Sequence, residues 1–222
     1  MWGRLPNPLD LLFPPLCILC TSPLEGEKIV CGRCLGNLSP TGLGQWREQV
    51  RVGEGLDEVW SAYWFDDQMK ALIHALKYEG LRGAGRRLGE AMSQLLGTDC
   101  TPEKYGLLIP IPLHWNQRRR RGYNQAEVLA IRLGQLWRIT VGRRCIVRRR
   151  STQSQTGLSV QERRVNVAGC FRVTGKGNGL NVLLVDDVLT TGATASACGL
   201  ALKEGGYGRV SVITVATPPK DG

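Results

Sequence analysis

The sequence predicts an α/β fold: a mainly parallel sheet flanked by helices, with a small cysteine module ahead of it. Three observations carry this. Val182 to Val185 form a continuous apolar run of the kind found in strands buried on both faces, which places it in the middle of a parallel sheet. Strand-like apolar segments elsewhere are interleaved with segments of helical spacing. Cys17 and Cys20, then Cys31 and Cys34, form two Cys-x-x-Cys knuckles ten residues apart, a strong signal for a four-thiolate zinc site.

The knuckles come first in the chain. Each supplies two sulfurs from one tight turn, and Gly32 eases the second. Two disulfides or a redox pair are the alternative, but neither knuckle lies in a thioredoxin-like setting and no secretion signal is evident. Some forty residues cannot fold on a core of their own, so zinc here is expected to be structural. All four ligands are cysteines, leaving no open position for water. Cys100, Cys145, Cys170 and Cys198 stand singly and are expected to pack as small apolar residues.

Val59 to Phe65 has strand composition, and Met69, Leu72, Ile73 and Leu76 recur at helical spacing before Lys77, Tyr78, Glu79 and a helix-ending Gly80. Arg86 to Leu96 reads as a second helix, and His74 as a plain surface or packed histidine. Leu107 to Pro112 is an apolar strand whose prolines force a turn. Arg118, Arg119, Arg120 and Arg121 follow as a basic loop, and Asn124 with Glu127 marks the next helix start. Ile146 and Val147 suggest a short strand, Phe171 to Val173 and Val210 to Val215 the remaining ones. Arg150 to Val165 is polar and rich in donors, a composition that suits either a lid carrying Arg150, Gln155 or Arg163 to a leaving group, or a simple tether.

The apolar run at 182–185 ends in Asp186 and Asp187, then in Thr190, Thr191, Gly192, Ala193 and Thr194 leading into a helix. Ligands of open α/β sheets bind outside the carboxyl ends of strands, where these carboxylates are expected. A small-residue loop opening a helix presents backbone N–H groups and the positive end of the helix dipole to a phosphate. Carboxylates accept hydrogen bonds from vicinal ribose hydroxyls and collect Mg2+. A phosphorylated sugar is the ligand this order suggests.

Of 222 residues, 29 are basic and 19 acidic, a net charge of +10. The stretch 117–150 holds eleven of the arginines and one acid, Glu127, so the rest of the chain balances at 18 of each sign. The charge is therefore regional and suits polyanions such as pyrophosphate or nucleic acid. Trp115, Tyr123 and Trp137 lie near these arginines and are candidates to stack bases, with core packing the alternative for at least two. Prolines interrupt the apolar N-terminus, and no run is long enough to span a membrane, so no membrane insertion and a cytoplasmic location are expected.

The segment NVLLVDDVLTTGATASA resembles the phosphoribosyl pyrophosphate (PRPP) motif of type I phosphoribosyltransferases. Taken with the four cysteines, LKYEG at 76–80, IPIPLH, RRRRGYNQA and RSTQSQTGL, nearly the whole chain resembles the ComF family. The resemblance implies a type I phosphoribosyltransferase-like domain over 46–222 and a zinc module over 1–45. It implies that Asp186 and Asp187 meet the ribose and its Mg2+, and that Thr190 to Thr194 hold the 5-phosphate. Pro110, Ile111, Pro112, Leu113 and His114 would meet pyrophosphate, aided by Arg150. The implied reaction is displacement at ribose C1 with loss of pyrophosphate. Partners implied are PRPP, with single-stranded DNA on Arg118 to Arg121 and a competence helicase or other DNA-uptake proteins as further candidates. A nucleic-acid-binding protein that only senses PRPP is the alternative reading.

Overall fold

The computed structural model describes residues 14–24, 29–42, 54–149 and 169–219. The two strongest β-formers lie at the centre of the main sheet. β6 (Val182–Val188) is apolar through its first four residues, β7 (Val210–Thr217) is rich in Val and Ile, and both are buried along nearly their whole length. Around them the order is β1 (Val59–Trp64), β7, β6, β2 (Leu107–Pro110) and β3 (Thr140–Val141), with every pairing parallel. The expected parallel sheet is therefore present.

Alternation along the strands sorts the core into two layers. Leu183, Val185, Ile213 and Val215 face helices α2 (Asp67–Tyr78), α3 (Arg82–Leu96) and α5 (Gln125–Trp137). Val182, Leu184, Val210 and Val212 face α6 (Ala193–Glu204) and a small antiparallel sheet of β4 (Ile146–Arg148) and β5 (Phe171–Val173).

Several expectations need correction. Residues 171–173 pair only with β4 and do not join the main sheet. The edge strand β3 is two residues long and was not foreseen. The helix expected from Arg86 begins at Arg82. Glycine at 83 and 85 reads as a breaker in isolation, yet α3 packs too closely on its neighbours for a side chain there. A Cβ on Gly85 would stand 2.8 Å from Val128 and 2.9 Å from Leu76. The arginines expected in a loop form the short helix α4 (Trp115–Arg121), started by His114 and stopped by Gly122 in the left-handed region. The strand expected to reach Pro112 ends at Pro110, which as the last residue pairs with Val185, where a missing N–H is tolerated.

The cysteine module holds a short helix, α1 (Gly32–Gly36), and its Cys17, Leu24, Val30 and Leu38 are buried in the same core as α2 and α3. Residues after it run along the free edge of β1. Thr41 N–H donates to the Ala62 carbonyl at 3.1 Å and Trp64 N–H to the Ser39 carbonyl at 2.9 Å, covering an edge that would otherwise expose unpaired backbone.

Candidate functional site

β2 and β6 are neighbours whose onward connections diverge. β2 continues through α4 and α5 to β3 on one side, and β6 through α6 to β7 on the other. A crevice opens at such a switch point beyond the carboxyl ends of the strands, and here it is a cleft of about 810 Å³. Its floor is 186–195; Ile111, Pro112 and Leu113 form one wall, and Lys77, Tyr78, Arg120 and Arg121 another.

Asp186 and Asp187 are the fifth and sixth residues of β6, so the strand carries them and continues to Val188. Successive side chains of a strand point to opposite faces. Asp187 turns toward α2, where its Oδ1 lies 3.0 Å from Lys77 Nζ. Its Oδ2 is buried and has no hydrogen-bond partner among the described residues. Asp186 Oδ1 accepts the N–H of Asp187 at 2.9 Å. Burial, and next the charge of Asp187, push the Asp186 carboxyl up to about 7, against the opposing pull of that N–H, Lys77 and Arg121. Asp186 therefore changes charge near neutral pH.

The loop after β6 is tied to β7: Leu189 N–H donates to the Ala216 carbonyl and the Thr217 hydroxyl to the Leu189 carbonyl, each at 2.9 Å. Gly192 adopts φ +72° and precedes α6 as a cap without a side chain. Thr191 Oγ1 accepts the Ala193 N–H at 3.4 Å. The amino end of a 12-residue helix thus faces the cleft behind a small-residue loop, the arrangement that favours an anion.

The residues expected to meet pyrophosphate divide. Ile111, Pro112 and Leu113 line the cleft, and Asn124 Nδ2 fixes the turn by donating to the Ile111 carbonyl at 2.9 Å. Pro110 belongs to the sheet. His114 is buried, and its Nδ1 accepts the Asn116 N–H at 3.4 Å as the cap of α4. The arginines divide as well. Arg120 and Arg121 line the cleft, whereas Arg118 lies 3.9 Å from Glu127 and Arg119 is exposed. Arg121 donates to Gln125 at 3.0 Å and to the Tyr78 hydroxyl at 3.3 Å, its guanidinium 5.0 Å from that ring centroid. Trp115 is 61% exposed, while Tyr123 is buried and donates to the Leu76 carbonyl. Arg150 and the 151–165 segment lie outside the described residues.

Lys77, Tyr78 and Arg148 also line the cleft, and sequence reasoning assigned none of them a role there. Lys77 and Tyr78 read as an ordinary helix end. Their only signal was their place in the LKYEG motif. Arg148 comes from the small sheet and stands over Phe171 at 5.6 Å. His74 is exposed, 3.2 Å from Glu79, as a surface histidine should be.

Away from the cleft, the sulfurs of Cys17, Cys20, Cys31 and Cys34 all lie within 4.8 Å of one another, with Cys20 and Cys31 3.7 Å apart. Tetrahedral Zn–S bonds of about 2.3 Å place sulfurs about 3.8 Å apart, so the donor set fits zinc. Cys31 N–H points to Cys17 Sγ and Cys34 N–H to Cys31 Sγ, each at 3.4 Å; against the effect of burial, the first helps hold the Cys17 thiol below its ordinary range. Cys100, Cys170 and Cys198 are buried, as expected of apolar packing, whereas Cys145 is only partly buried.

Comparison with known proteins agrees with this arrangement. The double zinc ribbon domain family matches residues 8–44, and the phosphoribosyl transferase domain family matches residues 119–222. The DNA utilization protein YhgH of Escherichia coli O157:H7 is 29% identical, covering 89% of this chain and 82% of that protein. Competence protein F of Haemophilus influenzae is 28% identical with the same coverage. Competence protein ComFC of Bacillus subtilis is 27% identical, covering 86% of this chain and 72% of that one. Among the described residues no helix is long and apolar enough to cross a membrane. The chain is thus similar over most of its length to the competence protein F, ComFC and YhgH proteins, and parts of it match the double zinc ribbon and phosphoribosyl transferase domain families.

Proposed function

We propose that this competence protein F homologue binds PRPP in the cleft at the β2/β6 switch point and transfers its 5-phosphoribosyl group to an acceptor. The observation that supports it best is the continuity of 186–194: a buried carboxylate oxygen with no partner among the described residues stands close in the chain to a side-chain-free helix cap. A ribose hydroxyl satisfies the first and a phosphate dianion the second. Thr190, Thr191, Gly192, Ala193 and Thr194 hold the 5-phosphate in this reading, and Asp186 and Asp187 orient the ribose. The wall at 111–113, with Arg120 and Arg121, receives the pyrophosphate.

Departure of pyrophosphate from C1 leaves positive charge on the ribose. A carboxylate fixed in a half-dry cleft stabilises that charge without having to reorganise, and no covalent nucleophile is required. The two aspartates and the pyrophosphate oxygens are suitable ligands for Mg2+, which when bound neutralises the leaving group. Arg150, outside the described residues, would serve the same leaving group. Zinc in the four-cysteine site is structural, tying the two knuckles of the module to each other. A cytoplasmic location suits a PRPP-dependent reaction.

Isothermal titration with PRPP and Mg2+, followed by measurement of pyrophosphate release with a panel of acceptors, tests this. Saturable binding that Asp187→Asn weakens about tenfold or more, a loss of about 1.4 kcal/mol, supports the reading. Absence of PRPP binding by the zinc-loaded protein overturns it.

A second reading rests on α4, which places four arginines and an exposed Trp115 on one short helix. In that reading single-stranded nucleic acid binds along α4, and PRPP in the cleft regulates it without turnover. PRPP binding without pyrophosphate release, together with salt-sensitive binding of single-stranded DNA, favours this alternative. DNA-uptake proteins, a competence helicase among them, are then its candidate partners.

A further inference from the structure

Lys77 reaches the cleft from α2, an element that carries none of the acidic or phosphate-loop residues. The buried side of α2 is Met69, Leu72, Ile73, Ala75 and Leu76, so packing does not require an ammonium in the last turn. That turn is nevertheless held in place. The Tyr123 hydroxyl donates to the Leu76 carbonyl, Arg121 donates to the Tyr78 hydroxyl at 3.3 Å, and the Glu79 N–H donates to the Ala75 carbonyl at 3.2 Å. The held turn puts Nζ 3.0 Å from Asp187 Oδ1, with the lysine side chain 21% exposed and the aspartate 6%. Desolvating two charges to this degree is costly unless their geometry is good. At the same carboxylate, Oδ2 remains buried without a partner among the described residues.

A lysine ammonium has three donors, and Asp187 takes one. It does what a bound divalent cation does for a pair of adjacent carboxylates: it supplies compensating charge and further contacts to ligand oxygens. Unlike the cation, it is always present. Resting on the reading of the cleft as a PRPP site, we propose that Lys77 is a built-in counter-cation for Asp187. The ribose 5-phosphate part of a ligand then binds with no divalent ion at the acid pair, and metal is needed only for the pyrophosphate part. Lys77 acts here as a positioning residue, setting the charge and orientation of Asp187.

Isothermal titration of the full zinc-loaded chain with ribose 5-phosphate tests this, in Mg2+ buffer and in Mg2+-free buffer prepared without a chelator so that zinc stays bound. For the unmodified protein the two dissociation constants should agree within about twofold, whereas PRPP should bind much more tightly with Mg2+. Lys77→Met should weaken ribose 5-phosphate about tenfold in Mg2+-free buffer and recover most of the loss with Mg2+. Lys77→Arg, which keeps the charge, should bind like the parent. An absolute Mg2+ requirement for ribose 5-phosphate in the unmodified protein overturns the proposal, and that comparison needs no variant to fold. Mg2+-free affinity of a folded Lys77→Met equal to the parent's also overturns it. If neither ribose 5-phosphate nor PRPP binds in either buffer, the reading of the cleft itself has failed.

Discussion

Lys77 Nζ and Asp187 Oδ1 lie 3.0 Å apart across the floor of the cleft, although 110 residues separate them in the chain. The neighbouring Asp186 has no such partner and accepts only the N–H of Asp187 among the bonds seen. Two adjacent acids on one strand therefore have opposite energetic characters. Asp187→Asn strands a largely buried ammonium, with some offset from relief of repulsion between the carboxylates, and should cost about 1–2 kcal/mol. Asp186→Asn removes a desolvated carboxylate and should raise stability at alkaline pH. Thermal melts at pH 8 should move in opposite directions, by about 2–4 °C per kcal/mol.

The pH dependence follows from the same residue. Asp186 is pushed up from an ordinary 3.8 to about 7 by burial and by Asp187. A carboxyl raised on folding binds its proton more tightly in the native state, so its contribution is greatest below about pH 4 and is lost between about pH 4 and 7. Above pH 7 the ionised group weakens the fold by on the order of 4 kcal/mol, at about 1.36 kcal/mol per unit. Denaturant melts from pH 5 to pH 8 should show falling stability, with a flatter profile for Asp186→Asn. An unchanged slope in that variant assigns the dependence elsewhere.

Gly192 has φ +72°, and a Cβ there would meet nothing nearer than Leu189 Cδ1 at 3.8 Å. Gly192→Ala is therefore a conformational change without a clash, worth roughly 1–2 kcal/mol. Because that strain falls on the cap of α6, affinity for PRPP and for ribose 5-phosphate should drop together. A loss confined to PRPP would point to the pyrophosphate wall instead.

Zinc removal should reach beyond the module. Cys17, Leu24, Val30 and Leu38 are buried in the core shared with α2 and α3, and Ile29 occupies the space where a Cβ on Gly83 would sit, 2.6 Å away. A strong chelator, or Cys20→Ser, should release one zinc per chain and lower the melting temperature of the whole protein by several degrees. Elemental analysis with calorimetry checks both.

Replacing Arg118, Arg119, Arg120 and Arg121 with alanine should separate the two roles of α4. If single-stranded DNA binds there, the slope of log affinity against log salt should become shallower by up to about 3, at about 0.7 per phosphate contact. PRPP affinity should fall as well, because Arg120 and Arg121 line the cleft. Restoring only those two should restore PRPP binding while DNA binding stays weak.

Much of the fold was legible because local chemistry and final environment agree. The run at 182–185 is apolar on both faces and is covered on both faces. Asn124 reads as a helix cap, and its Oδ1 accepts the Ala126 N–H at 3.0 Å. Legibility failed where a neighbour overrides propensity. Gly85 looks like a helix breaker until Val128 and Leu76 claim the space beside it. Arg118 to Arg121 look like a solvated loop until His114 and Gly122 cap them as a helix.

By itself the sequence determined the parallel sheet, the four-cysteine cluster and the acidic, threonine- and glycine-rich segment. Each is signalled by residue type and spacing within short segments of the chain. Only the tertiary structure decided which carboxylate is compensated. That depends on where the last turn of α2 comes to rest against β6, which is set by packing between segments far apart in the chain. It also decided that His114 is spent on a cap and that Lys77 belongs to the cleft, since a side chain's role depends on which neighbours reach it.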